Sequence, residues 1–262
     1  MNKQSNTDEL LSFGEHLEVL RQMLFRIIAV AIAIAVVVFC MKDVTWRLLL
    51  APSHWDFCTY RWLESMMQAM GIDFRFDEFH VNMIATDLSS QFMTHISTAV
   101  YLGLLGASPY ILYELFRFIS PALYENERKY SVQVATIIYT LFIIGVLMTY
   151  FVLFPISFRF LGTYSVSSQV VSNITLDSYV STFVSLTLVM GVVFQLPVIA
   201  FFLGKMGVVT SNMLGQYRKH AFIAIMLVAA IITPPDVMTL ILVSIPLYLL
   251  YEVSIRVVKW TE

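Results

Sequence analysis

Charge is what this chain has least of. Asp, Glu, Lys and Arg make up 13% of its 262 residues, about half the share of an ordinary soluble domain. Hydrophobic residues reach 58%, and the mean hydropathy is +0.77. One aqueous core cannot hide that much apolar surface, so the composition points to an integral membrane protein with several spans. The net charge of −2 offers no cationic surface for non-specific nucleic-acid binding, and no nucleic-acid partner is expected. Cysteine is nearly absent. Cys40 ends the first apolar run and Cys58 follows it; whether they pair in an oxidising compartment stays open. The histidines are scattered with no i, i+4 pair, and H-E-x-x-H, G-x-S-x-G, Walker A and C-x-x-C are all missing. Paired acids inside spans, which an intramembrane aspartyl site needs, are missing too. The expectation is no metal, no cofactor and no enzyme activity.

Six apolar runs are present, at about residues 23–41, 92–116, 132–158, 180–206, 221–233 and 237–258. Lipid offers a backbone no hydrogen-bond partner, so each run is expected to be helical. Pro109, Pro155, Pro197 and Pro246 lie inside or near the ends of these runs and are expected to kink or open them. Residues 1–21 are polar and carry four acids, which does not read as a cleavable leader. The expected fold is all-α: one polytopic integral membrane domain over 1–262, six transmembrane helices, an amphipathic N-terminus at 1–22 and a long outer loop at 42–91.

Lysine and arginine set the expected orientation. With the N-terminus inside, the inner segments hold Lys3, Arg21, Arg26, Arg117, Arg128, Lys129, Lys205, Arg218, Lys219, Arg256 and Lys259. The outer segments hold Lys42, Arg47, Arg61, Arg75 and Arg159. Both termini are therefore expected in the cytoplasm. The last two spans read as short. Between Lys219 and Pro234 the reach is about 21 Å, against a hydrocarbon core of about 30 Å. Thr233-Pro234-Pro235-Asp236 stops the helix, because the prolines cannot donate to it. In the long outer loop Tyr60, Leu63, Met66, Met67 and Met70 recur at helical spacing until Gly71, the pattern of an interfacial or cap helix.

Three acidic places stand out. The inner loop 118–128 carries Glu125 and Glu127, with Glu114 just upstream; these acids either receive a basic peptide or merely balance Arg128 and Lys129. Before the first span, Glu15, Glu18 and Arg21 share one helix face, beside an apolar stripe of Leu17, Leu20 and Leu24. Here too an ordinary interfacial helix with an internal Glu18–Arg21 pair remains open. Glu114 and Glu252 are expected to reach the membrane interface. Gln195, in the fourth run beside Pro197, is expected to bond backbone freed by that proline.

In this order, several motifs carry a family likeness. They are His16-Leu17-x-x-Leu20-Arg21, Ala51-Pro52, Met83-Ile84-Ala85-Thr86-Asp87, Pro109-Tyr110-Ile111-Leu112-Tyr113, the 118–128 loop, Phe194-Gln195-Leu196-Pro197 and Thr233-Pro234-Pro235-Asp236. Over nearly its whole length the chain resembles the TatC family of twin-arginine translocase subunits. The resemblance implies a concave helical bundle in the bacterial cytoplasmic membrane. It implies that the bundle receives twin-arginine signal peptides on its cytoplasmic side. It further implies single-span partners of the TatA and TatB type, self-association, and export of folded proteins driven by the proton-motive force. Glu127 occupies the family's loop glutamate in P-A-L-Y-x-x-E, with Phe118, Pro121, Leu123 and Tyr124 around it. The family's H-L-x-E-L-R has Val19 at its glutamate position here; Glu18 sits about 100° away on the helix, and Glu18 or Glu15 is the expected substitute. Gln195 stands where many relatives carry glutamate. A solute transporter and a non-transporting assembly scaffold are the alternatives.

Overall fold

The computed structural model describes residues 13–73, 75–119, 131–165, 167 and 173–262. Among them are eleven α-helices: α1 (Phe13–Cys40), α2 (Lys42–Leu50), α3 (Cys58–Ala69), α4 (Ser90–Ile119), α5 (Ser131–Met148), α6 (Phe154–Thr163), α7 (Leu176–Val193), α8 (Leu196–Lys205), α9 (Ser211–Gln216), α10 (Arg218–Ile232) and α11 (Val237–Lys259). Two short strands, β1 (Met83–Ile84) and β2 (Ile174–Thr175), pair in parallel, Met83 with Ile174 and Ile84 with Thr175.

The prolines explain most of the breaks. The third run is one rod in which α5 passes through a π-helical turn, Thr149–Leu153, into α6, with Pro155 in the first turn. The fourth run breaks at Phe194 and Gln195, and Pro197 sits in the first turn of α8. Pro suits the first turn of a helix because its fixed φ is already helical. Pro109 and Pro246 are carried inside α4 and α11.

Five helical stretches among the described residues are long and apolar enough to cross a membrane: Leu17–Cys40, Ser90–Leu115, Val134–Thr163, Leu176–Lys205 and Val237–Lys259. α10, with 15 residues, rises about 22 Å and is the short one. α11 has 23 residues, so the expectation of two short helices holds for α10 alone. The apolar part of α11 nonetheless ends at Tyr251, and Glu252, Arg256 and Lys259 fill its last turns.

The core sits at one end of the bundle, called here the cap end, where α2, α3 and the α10–α11 turn lie. Leu49, Tyr60, Leu153, Phe154, Tyr179, Phe183, Leu186 and Val243 are buried there together. Helix hydroxyls and side chains answer the backbone groups that lipid cannot satisfy. The last carbonyls of α2 are orphans of the helix end. Tyr150 donates to the Leu48 carbonyl at 2.8 Å, Tyr179 to Leu49 at 2.7 Å and Ser53 to Leu50 at 2.7 Å. Pro155 cannot donate to the Phe151 carbonyl four residues back; the Thr59 hydroxyl of α3 does so instead. Tyr60 donates to the Pro155 carbonyl at 2.8 Å. Its burial pushes the Tyr60 phenol up, so it stays a donor at any ordinary pH.

The loop beyond α3 is held by one cation. Gly71 takes a φ of 79°, which turns the chain back with no Cβ to clash. The Arg159 guanidinium then lies 4.3 Å from the Phe76 ring centre and 4.8 Å from that of Phe79, and donates to the Asp77 carbonyl at 3.1 Å.

Two apolar stripes pack only in part, and the open question of the cysteines is answered. In α3, Tyr60 is buried and Leu63 and Met67 are half-buried, but Met66 and Met70 are exposed. In α1, Leu17 and Leu24 are exposed, and Met23 and Ile27 form the buried face. Lipid is as apolar as leucine, so an apolar stripe does not mark the protein-facing side of a span. Cys40 and Cys58 are both free thiols.

Thr59→Val removes the donor for the Phe151 carbonyl at nearly constant shape. The expected cost is about 1–3 kcal/mol, the price of an unsatisfied buried acceptor. Thermal unfolding in detergent should show a lower midpoint for Thr59→Val than for Thr140→Val, whose exposed hydroxyl only bonds within its own helix. Equal midpoints would reject this role.

Candidate functional site

α1 and α4 form one antiparallel seam. A Cβ on Gly103 would lie 2.6 Å from the Ala35 Cβ, so the two helices touch backbone to backbone and only glycine fits. Further along, Gly106 faces Ile34, and the Arg26 guanidinium meets Glu114 at 3.4 Å. These three pairings run in one register. Continued, it brings Arg21 level with Ile119, where α4 ends. The start of α1 and the exit of α4 thus share the end of the bundle opposite the cap.

Glu114 is the surprise of this seam. Instead of reaching the interface, it is 4% exposed. Tyr110, one turn earlier, donates to its Oε1 at 3.0 Å, and Arg26 pairs with its Oε2. A buried carboxylate persists when paired and hydrogen-bonded. Two sequence signals could have found it: a tyrosine at i−4, and an arginine one turn inside the first span.

The expected peptide-binding residues distribute unevenly. Glu15 lies in the first turn of α1. Glu18 is exposed; Arg21 donates to its Oε1 at 2.7 Å and Gln22 at 3.1 Å, which is the internal pair foreseen for an interfacial helix. Phe118 is half-buried in the last turn of α4. Pro121, Leu123, Tyr124 and Glu127 lie outside the described residues.

The intramembrane polar residues are structural neighbours of other helices. Gln195 donates from Nε2 to the Ile138 carbonyl of α5 at 3.1 Å, and more weakly to Gly191 at 3.4 Å. That differs from the expectation. Pro197 frees the Val193 carbonyl, whereas Gln195 ties α7 to α5; its Oε1 is buried with no partner among the described residues. At the α10–α11 turn, Pro234 and Pro235 separate the helices, and the Asp236 carboxylate accepts from the Thr239 amide at 2.6 Å as the cap of α11.

Sequence and structure comparisons agree on one family. The family model described as "Sec-independent protein translocase protein (TatC)" matches residues 15–246. The chain belongs to the TatC family. A TatC from Blattabacterium sp. subsp. Periplaneta americana is 34% identical, with 96% of each chain covered. One from Desulforapulum autotrophicum is 33% identical over 96% of this chain and 85% of the relative. A crystal structure of the twin-arginine translocase receptor TatC superposes with a TM-score of 0.74 at 29% identity, covering 94% of this chain and 99% of that one. The protein is thus a component of a Sec-independent protein translocase, a transport role.

The same end of this TatC-family bundle carries a second clasp that its sequence did not announce. Arg218 of α10 grips Glu252 of α11 with two bonds, 2.7 and 3.0 Å. Tyr251 donates to the Leu214 carbonyl at 2.7 Å. Glu262 accepts from the Ser211 amide and hydroxyl at 2.6 and 2.5 Å. The Ser211 hydroxyl, then its amide, holds the Glu262 carboxyl below the usual carboxylate range. This contact therefore contributes above the ordinary carboxylate pKa and is lost as pH falls through the lowered one.

Arg26→Gln should leave Glu114 buried without its cation. Breaking a fully buried pair costs about 3–5 kcal/mol; Arg26 is half exposed, so about 1–3 kcal/mol is expected here. Arg26→Met combined with Glu114→Leu should recover most of that loss. A double-mutant cycle by thermal unfolding in nanodiscs checks this, and additive losses would show that the two do not interact.

Proposed function

We propose that this TatC-family protein is the signal-peptide receptor of a twin-arginine translocase in the bacterial cytoplasmic membrane. It receives peptides with paired arginines at the end opposite the cap. Glu127 is the main acceptor, assisted by Glu18 or Glu15, with Phe118, Pro121, Leu123 and Tyr124 shaping the loop around it. It assembles with TatA-type and TatB-type single-span subunits and with further copies of itself. Together they export folded proteins using the proton-motive force. The observation that carries this reading is the α1–α4 register. It sets Arg21 level with the helix end that leads into the 120–130 segment, with Glu18 about one turn beyond.

The chemistry suits the ligand. A guanidinium presents a planar fork that matches a carboxylate with two bonds, and lysine cannot reproduce both. Two adjacent arginines call for two separate acids, one from each side of the seam. Near the membrane interface the dielectric falls below that of water, which strengthens both pairs. The 15-residue α10 adds a second element: beside it the bilayer must thin or other protein must cover the mismatch. Either suits a machine that moves folded cargo.

Losing one charge-assisted contact should weaken binding roughly 10–150-fold. Glu127→Gln should show that loss for a twin-arginine peptide. Glu18→Gln and Glu15→Gln should each cost less, and the double change more than their sum. Val19→Glu should keep or improve affinity. Binding to nanodisc-embedded protein, with a twin-lysine peptide as control, measures all of these. Parental affinity for Glu127→Gln at low salt would overturn the assignment.

Orientation has its own test. Eleven of the 16 basic residues fall in the sequence segments 1–26, 117–129, 205–219 and 256–262, a bias that supports a cytoplasmic side for those segments. Reporter fusions after Glu262 and within 42–91 should report opposite compartments. The same compartment for both would reject the topology.

A further inference from the structure

The segments expected on the inner side fall into two groups of different charge. Residues 1–26 and 114–129 hold seven acids and six basic residues. The inner ends of α8, α10 and α11 hold Lys205, Arg218, Lys219, Arg256 and Lys259 against only Glu252 and Glu262. Both of those acids are engaged, Glu252 by two bonds from Arg218 and Glu262 by the Ser211 amide and hydroxyl. All five basic residues are exposed. The ends of α8 and α11 abut so closely that a Cβ on Gly204 would lie 2.7 Å from the Thr261 Oγ1. The five cations therefore share one tied surface with a clear positive excess.

The same surface exposes large apolar side chains beyond the ends of the spans. α8 closes a membrane-crossing stretch at Lys205, and α10 opens at Arg218. The connection between them, residues 206–217, is too short to leave the membrane surface. Yet Met206 is 69% exposed and Val208 59%, and Met213 and Tyr217 are exposed as well. Gly207 takes a φ of 69°, and the Val208 and Val209 amides bond back to the Leu203 carbonyl, so this presentation is fixed by a helix C-cap. Trp260, directly after Lys259, is 85% exposed. Tryptophan beside lysine at the end of a span is the pairing expected at headgroup depth.

We propose that this surface docks on anionic phospholipid headgroups of the facing leaflet. Met206, Val208, Met213 and Trp260 enter the boundary between headgroups and acyl chains, and the cations among them meet lipid phosphates. Long basic side chains suit this depth, because their stems lie along apolar groups while their charges reach the phosphates. Continuity and charge select the occupant. The patch runs without a break into the lipid-facing sides of α8 and α11, where Ile199 and Val253 are exposed. A protein partner would have to match the scattered cations acid by acid, whereas mobile headgroups match them at any spacing. Headgroups and clasp together hold the first turn of the short α10 at the membrane surface. The docking rests on the proposed topology only for its leaflet, the cytoplasmic one, and not on the peptide-binding acids.

The full chain carrying Trp46→Phe, Trp55→Phe and Trp62→Phe keeps Trp260 as its only indole. It is placed in nanodiscs of equimolar phosphatidylcholine and phosphatidylglycerol, with bromine on the chains of one lipid or of the other. Both leaflets have the same composition, so the result does not depend on topology. Brominated phosphatidylglycerol should quench Trp260 roughly 2–5-fold more than brominated phosphatidylcholine, the enrichment expected of a basic surface near a bilayer. Lys219→Gln with Lys259→Gln should remove the difference at unchanged melting temperature, and near-molar salt should reduce it. Lys42→Gln, at the cap end, should leave it unchanged. A second readout needs no tryptophan replacement. The parent chain, released from the mixed discs, should retain more phosphatidylglycerol than phosphatidylcholine by native mass spectrometry, and the Lys219→Gln, Lys259→Gln chain should lose that preference. Equal quenching by the two lipids shows a headgroup-indifferent contact, and weak quenching by both shows Trp260 in water or under protein. Either result overturns the proposal, as does a preference that survives the paired lysine change.

Discussion

A backbone carbonyl freed inside a membrane has no water to turn to, and most of this architecture follows from that constraint. Prolines at 155, 197 and 246 and the end of α2 all strip carbonyls of their helical donors. At the cap end the answers come from Thr59, Tyr150 and Tyr179, and Tyr60 adds a bond to the Pro155 carbonyl. Each hydroxyl joins an element to one far away in sequence, so the repair of a local defect becomes a tertiary tie. The Tyr60 and Tyr179 bonds are buried against the aromatic core around Phe154, so the cap helices are tied to the bundle through the core itself.

The opposite end is built differently. There the ties are near the surface and involve charge: the ion pairs of Arg218 with Glu252 and of Arg21 with Glu18, and the Glu262 carboxylate accepting from Ser211. Exposed pairs contribute little and are screened by salt. Arg26 with Glu114 is the exception, because its carboxylate is buried and its tyrosine partner completes the hydrogen bonding. It belongs to the register of the α1–α4 seam, along which the first turns of α1 run on past Ile119.

Length and hydropathy made the spans legible, and proline made their breaks legible. The residues 155 and 197 mark helix starts as their missing N–H requires. Side-chain direction was harder to read. Leu17, Leu20 and Leu24 form a stripe that in water would mark the buried face. In lipid the same stripe can face out, and Met23 and Ile27 pack instead. Glu114 read as an interfacial charge because its partner is 88 residues away in sequence, and no local spacing encodes Arg26. Gln195 read as a companion of Pro197 for the same reason: its bond reaches across to Ile138 on another helix. Motif order carried the family, which the matches over residues 15–246 bear out. The acids proposed to bind the peptide remain legible only as motif positions, since Glu127 lies outside the described residues.

The displaced N-terminal glutamate can be weighed on magnitudes. Glu18 is engaged by Arg21 and Gln22, but both side chains of the ion pair are largely open to solvent, 46% and 66% exposed. Such an exposed i, i+3 pair is screened by solvent and contributes little. A bidentate guanidinium contact from a peptide is worth about 1.5–3 kcal/mol. On the proposed function, an arriving arginine would displace Arg21 at small cost, and the released Arg21 would return to water. Glu114 is not open to that exchange, because its buried carboxylate already has a cation and a hydroxyl, and removing either strands a charge. Of the two carboxylates with described side chains near the α1–α4 exit, only Glu18 is free to change partners. A one-residue shift from the family position thus leaves the N-terminal acid usable, provided the helix presents it across the seam.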